Sequence, residues 1–331
     1  MVSLDHWQNS GHFNQARRAF TATSNGNYIY IIGGVDANGH YLTSVEYAAI
    51  QPDGSLGSWE ITKPLNEGRF YLSSVIVDGY IYAIGGATGP LGEDNIPSAS
   101  VERAKIAANG SLGAWQKQAY LNSPRRGLQS VAYGKHIYAL GGYNGVFMKT
   151  VERAEIDNNG NIQNWMDESE SFLVDRYIHS AAIHQNRIYL IAGHVEKQNI
   201  MSYGDVESAT ILDDGRLSAW SIEKSKLNTP RFIATAISTK HYLYLAGGHD
   251  GRDRLTSVEY APFLPDGSLG NWTETLPLKS GRSATSMVSN NNTLFILGGA
   301  GGDNVLNSVE TSKFMPNGSL IAYEKRHPTP Q

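Results

Sequence analysis

The chain has 331 residues, 40% of them hydrophobic, 18% charged and 10% aromatic, with a formal net charge of −4. That balance gives no general attraction to nucleic acid or to an anionic membrane. The absence of cysteine excludes disulfides, thiolate metal sites and Cys nucleophiles. No apolar run approaches the ~20 residues of a membrane-spanning helix. The opening stretch, MVSLDHWQNS, lacks a basic segment followed by an apolar one, so no signal peptide is expected and a cytoplasmic location is the default, a mature secreted form staying open.

Glycine is high, 35 of 331 or about 11% against a usual ~7%, and tyrosine reaches 18. The first repeat shows how they are used. Arg17 is followed by an extended run, AFTATS, a turn NGN, and the apolar-aromatic run YIYII that ends in Gly33-Gly34. After a loop come SVEYAAI with Val45-Glu46, the turn PDGS, and GSWEI with Trp59. Short alternating or apolar runs, punctuated by Asn-Gly and Asp-Gly that supply positive φ, read as four strands joined by tight hairpins.

The same order returns five times. The Gly pairs recur at Gly85-Gly86, Gly141-Gly142, Gly247-Gly248 and Gly298-Gly299, with Ala192-Gly193 as the fourth copy. An arginine stands at one constant distance before each pair: Arg17, Arg69, Arg125, Arg176, Arg231, Arg282. Val-Glu follows at Val45, Val101, Val151, Val206, Val258 and Val309. At a second constant distance after each valine comes an aromatic: Trp59, Trp115, Trp165, Trp220, Trp272, Tyr323. Only the stretch between the Gly pair and Val-Glu changes length. A four-stranded sheet cannot bury both faces alone, so six of them arrayed about an axis give an all-β, six-bladed β-propeller of four antiparallel strands per blade. The expected blades are 17–65, 69–121, 125–171, 176–227, 231–278 and 282–325 in one domain over 1–331.

Arg, IY-x-x-Gly-Gly, Val-Glu and Trp at a period of roughly 50 residues resemble the kelch repeat, over essentially the whole chain. The segment 1–10 adds a complication: Ser3-Leu4-Asp5-His6-Trp7 copies the fourth-strand motif of Ser55–Trp59, while Ser319–Tyr323 is a fourth-strand copy as well. Seven copies compete for six places. A terminal strand closes the ring, and the sequence leaves open which terminus supplies it.

Strand alternation puts the variable loops and the Arg positions on one face, where loops held by a rigid scaffold carry binding. The candidate ligand-binding residues are therefore Arg17, Arg69, Arg125, Arg176, Arg231 and Arg282 around the channel mouth, with Tyr143, His194 and His249 from the loops. The resemblance implies that arginines here bind carboxylates of acidic peptides, and a guanidinium fork suits that task. The competing reading is that a feature present in all six blades is scaffold, each Arg paired with the carboxylate of its own Val-Glu. Unit four is the most irregular, and His179, His194 and Glu196 there are residue types of a two-His-one-carboxylate site or an acid–base pair. No metal and no cofactor is assigned: Asp157–Asn161 lacks the bidentate Glu of a calcium loop, and no Gly-rich phosphate loop precedes a helix.

The leading expectation is a binding and interaction module holding an acidic peptide or a sugar acid, with no nucleic-acid or membrane partner. The first alternative, implied by a resemblance of small six-bladed kelch propellers to sialic-acid mutarotases, is an enzyme using Glu196 and Arg176 with His194 or His179. The second is an architectural propeller of a larger protein.

Overall fold

The computed structural model describes residues 7–90, 95–195, 201–290, 293–315 and 320. Among them six four-stranded antiparallel sheets carry nearly all the strands. From the axis outward, blade one is Thr21–Ser24, Tyr28–Ile32, Val45–Ala49 and Glu60–Thr62. Blade three is Gln129–Tyr133, His136–Tyr143, Phe147–Ile156 and Ile162–Asp167. Blade six is Ser286–Ser289, Thr293–Gly301 and Asn304–Lys313 from the end of the chain, and Gln8–His12 from its start. Gln8 pairs with Thr311 and His12 with Ser308. The N-terminus is thus the closing strand.

Each second strand is buried on both faces, as Ile29, Tyr30, Ile31 and Ile32 are at 0% exposure, which is why these runs read as continuously apolar. Apolar clusters lie between blades rather than within them: Tyr30, Ile32 and Leu65 of blade one meet Ile81, Leu112 and Trp115 of blade two. The tyrosine of the second strand fixes the spacing. Tyr30, Tyr82, Tyr138 and Tyr189 each donate their hydroxyl to a glycine carbonyl in a hairpin turn of the next blade, at 2.5–2.8 Å. Trp7 takes the equivalent place of a blade-six tryptophan, since its indole donates to Leu276 O at 2.9 Å as Trp115 does to Lys63 O at 2.8 Å.

The six repeated arginines are fully buried, and all six are built into one recurring clamp. Arg17 Nη1 donates to Gly33 O (2.8 Å) and Ser44 O (2.9 Å), the two ends of the variable loop, while Nη2 donates to Glu46 at 3.0 Å. Glu46 in turn accepts from the backbone of Asn14 (2.7 Å) and Gln15 (3.0 Å), which fixes the connection leading to Arg17. The pairs Arg69–Glu102, Arg125–Glu152 and Arg282–Glu310 repeat this at 3.2, 2.8 and 2.6 Å, and Arg176–Glu207 and Arg231–Glu259 complete the set. Burial pulls each guanidinium below its ordinary value and the facing glutamate pushes it back up.

Both residues of the glycine pair have positive φ, Gly33 at 64° and Gly34 at 93°. A side chain at Gly34 would come within 2.6 Å of Phe20 Cβ. In blade four the first position is Ala192, held in the left-handed region at φ 61°, a conformation unfavourable for an L-residue by about 1–2 kcal/mol.

Two outcomes follow in urea unfolding. Ala192→Gly raises stability by about 1 kcal/mol, relief of the left-handed strain offset by glycine's greater chain entropy; a loss would contradict the assigned strain. Arg125→Ala lowers it by about 3–5 kcal/mol, because Glu152 is left buried without its cation; a loss below about 1 kcal/mol would mean that the clamp does not hold the blade.

Candidate functional site

The clamp corrects one expectation. Arg17, Arg69, Arg125, Arg176, Arg231 and Arg282 do not ring the mouth: all are at 0–1% exposure and bonded to their own glutamates and loop ends. For Arg176 this removes the catalytic role as well. Its Nη1 is bonded to Ala192 O, its Nη2 to Glu207, and its guanidinium lies 4.9 Å from the Tyr203 ring.

One residue further on, the chain faces the mouth instead. The residue after each arginine bridges to the residue after each glycine pair: Arg18 to Val35, Phe70 to Ala87, Arg126 to Tyr143, Tyr177 to His194, Phe232 to His249 and Ser283 to Ala300. Successive residues of an extended chain point to opposite sides, so burying the arginine commits its successor to the rim.

Two residues after each arginine the backbone forms a closed ring. Ala19, Tyr71, Gly127, Ile178, Ile233 and Ala284 all have positive φ, between 45° and 60°. Tyr71 N donates to Ala19 O, Gly127 to Tyr71, Ile178 to Gly127, Ile233 to Ile178, Ala284 to Ile233 and Ala19 to Ala284, at 2.6–3.0 Å. Left-handed Ile178 and Ile233 are strained, and the ring bonds hold them there. Below it the axis keeps a cavity of about 80 Å³, lined by inner-strand residues such as Thr21, Gln129, His179 and Thr285.

The rim is chemically lopsided. On the side of blades one to four a cavity of about 280 Å³ lies between Arg18 and Arg126, walled by Tyr41, Phe70, Tyr71 and Tyr177, with Asn95 at its edge. Tyr41 and Phe70 stack at 4.7 Å. Arg126 lies 4.8 Å from the Tyr143 ring and donates Nη1 to Asn95 Oδ1, while its Nε is buried with no acceptor among the described residues. Burial pushes the Tyr71 and Tyr177 hydroxyls up, and the Arg126 cation opposes this at both. Toward blade five the rim continues as rings in contact: Tyr177 with His194 at 5.4 Å, His194 with Phe232 at 6.1 Å, and Phe232 with His249 at 5.3 Å. Burial lowers His194. At the two rim positions, after the arginine and after the glycine pair, blade six has Ser283 and Ala300.

Of the residues expected from sequence, Tyr143, His194 and His249 therefore reach the rim, and Glu196 lies outside the described residues. His179 does not join them. It is 1% exposed at a position filled by Phe20, Leu72 and Leu128 in the first three blades, and its ring packs 6.2 Å from Phe172. Burial, with help from the Arg176 and Arg125 cations and against the Leu140 carbonyl, pushes it down to about 3. No group of three or more His, Asp or Glu suited to a metal occurs among the described residues. Arg18, Arg126, Phe70, Tyr177 and Phe232 are not among the sequence expectations. The signal that could have found them is variation, since the position after the constant arginine reads Arg, Phe, Arg, Tyr, Phe, Ser.

Comparison with known proteins agrees with the geometry. The Kelch motif family matches residues 16–47. Alpha-scruin of Limulus polyphemus is 25% identical over 83% of this chain and 29% of its own length. Kelch repeat and BTB domain-containing protein 1 of Horsepox virus is 25% identical over 77% of this chain and 42% of its own. The chain thus spans less than half the length of these curated relatives. The solved structure of YjhT superposes with a TM-score of 0.69 over 90% of this chain and 95% of that one, at 17% identity, a likeness of fold alone.

His179 supplies a pH test. A folded-state value near 3 against about 6.5 unfolded means that the unfolded chain binds the extra proton, so stability falls as pH drops from 6.5 toward 3. Between pH 6.5 and 4 the native chain should lose on the order of 3 kcal/mol more than His179→Leu at about 1.36 kcal/mol per pH unit. Equal acid sensitivity of the two in urea unfolding would contradict a neutral, buried His179.

Proposed function

The chain belongs to the kelch-repeat family, and from that premise we propose that this propeller is a binding module whose rim cavity takes the carboxylate of a small ligand or of a partner's acidic side chain. The observation that carries the reading is the pair Arg18 and Arg126 on either side of one cavity walled by aromatic rings. A carboxylate entering between the two guanidinium groups can take charge-assisted hydrogen bonds in pairs from a planar fork. Tyr41, Phe70, Tyr71 and Tyr177 supply apolar faces with hydroxyl tips at the tyrosines, suited to the ring of a sugar acid or the stem of a Glu side chain. A cavity of about 280 Å³ is at the small end of ligand sites, so one acidic group and its immediate frame fit, not an extended peptide.

The family is one of protein-interaction modules, and an acidic loop on a partner protein is the macromolecular form of the same ligand. The mutarotase-like alternative loses its arginine, Arg176 being spent on Glu207 and the loop ends.

Thermal shift with a sugar acid, its neutral parent sugar and an acidic peptide tests the reading. At about 100 times its dissociation constant a ligand adds ~2.7 kcal/mol. The acids should raise the melting temperature and the neutral sugar should not. Arg18→Ala and Arg126→Ala should each weaken acid binding by about 1.5–3 kcal/mol with little change in the unliganded melt. Undiminished acid binding by the double variant would overturn the reading.

A further inference from the structure

Asparagine followed by glycine is chemically labile, because a glycine amide with no Cβ beside it can attack the asparagine carboxamide. The chain has six such pairs, at Asn25, Asn38, Asn109, Asn144, Asn159 and Asn317, the last outside the described residues. Four of the remaining five hold the glycine amide in a hydrogen bond of their own turn: Gly26 N to Ser24 Oγ at 3.0 Å, Gly39 N to Asp36 O at 3.1 Å, Gly110 N to Ala107 O and Gly160 N to Asp157 O, both at 2.9 Å. Gly110 and Gly160 are also buried under the next blade, where an added Cβ would come within 2.4 Å of Tyr28 and 2.5 Å of Arg103. Asn144-Gly145 differs on every count. It is the tip of the second-to-third hairpin of blade three, beyond the last ladder pair, Tyr143 with Phe147. Asn144, Gly145 and Val146 are all exposed, a Cβ at Gly145 would meet nothing within 4 Å, and the Gly145 amide donates to no acceptor among the described residues.

We infer that Asn144 is a self-modification site, at which the Gly145 amide turns the carboxamide into a carboxylate with water as the co-reactant. Gly145 N forms a bond to Asn144 Cγ, the bond from Cγ to Nδ2 breaks, and ammonia leaves with the amide proton, so that a cyclic imide closes. Water then opens the imide at either carbonyl. Breaking the new bond to Cγ restores the peptide link and leaves an aspartate. Breaking the bond to the main-chain carbonyl leaves an isoaspartate, whose backbone runs through Cβ and Cγ. Nothing is oxidised or reduced. The exposed tip has room for the extra backbone carbon, which the packed turns at Gly110 and Gly160 lack. The new charge lands on the rim. Tyr143, the preceding residue, exchanges backbone bonds with Arg126 at 2.9 and 3.1 Å, and its ring lies 4.8 Å from the Arg126 guanidinium. A carboxylate at 144 therefore opposes an acidic ligand at Arg126 by like charge, a consequence that rests on the acid-binding reading of the cavity. The module loses affinity for acids as it ages.

Peptide mass spectrometry on the full-length protein, aged in mildly alkaline buffer, tests the site directly. In the native chain the Asn144 peptide should gain aspartate and isoaspartate on the order of tenfold faster than the peptides of Asn25, Asn38, Asn109 and Asn159, because those turns must open first. In urea the five rates should converge, since the difference belongs to the fold. Equal rates in the native chain, another pair reacting fastest, or the same ranking kept in urea would each overturn the inference. Asn144→Asp should weaken sugar-acid binding by roughly two- to fivefold with the melting temperature unchanged; full affinity in that variant would overturn the charge effect. A wild-type chain that binds no acid would sink the acid-binding reading instead, and the ageing rates would still decide the modification site.

Discussion

A buried arginine shared between a glutamate and the two ends of a loop is the interaction on which the molecule depends. In blade one Arg17 Nη1 holds the carbonyls of Gly33 and Ser44, and in blade two Arg69 Nη1 holds those of Gly85 and Ser100 around a longer loop. The closure is therefore made by a contact at the loop's base and is indifferent to its length, while lengthening such a loop has only a slow entropic cost. Glu46 and its five counterparts carry the same clamp to the backbone that leads to the arginine, so three chain segments meet at one ion pair. Burying two charges is expensive and favours a geometry in which the carboxylate and the terminal guanidinium nitrogens are bonded, and that pairing recurs in all six blades.

The rim inherits its chemistry from this arrangement by elimination. With the arginine turned inward and the third residue in the inner strand, the position after the arginine is the one left to vary without disturbing a blade. It varies across the whole range from Arg18 and Arg126 to Ser283. The result is a mouth that is cationic and aromatic on one side, imidazole-bearing on another and nearly bare at blade six. Asymmetry on a sixfold frame is what a site needs to orient a ligand.

The fold is legible in the sequence because Arg, Gly-Gly, Val-Glu and Trp, repeated six times in fixed register, admit one architecture. The site is legible only in part, and the error is one residue wide. A β-chain exchanges faces at every step, so arginine in a rim-facing register and arginine in a buried one look alike until the partner of the Val-Glu carboxylate is known. Tyr143, His194 and His249 can be found because they follow the glycine pair on the loop side. Asn95 and Tyr41 cannot, since they lie in the variable loops of blades two and one and come to Arg126 of blade three only when neighbouring blades pack. His179 misleads because a polar residue in an irregular repeat looks functional, whereas it replaces a core leucine. Closure itself is ambiguous because both termini carry a fourth-strand sequence, and only Trp7 is continuous with the first clamp.

The six-membered backbone ring has a sense of rotation, each N–H pointing to the carbonyl of the preceding blade. Its dipoles run head to tail around a circle and cancel, so it presents neither a positive nor a negative end along the axis. Every donor and acceptor in it is used, and bonds in such a chain polarise one another. An ion at this ring would meet six carbonyls already bonded and no backbone dipole set along the axis. A ligand above the ring therefore meets backbone groups that are already spent, and its polar contacts have to come from side chains.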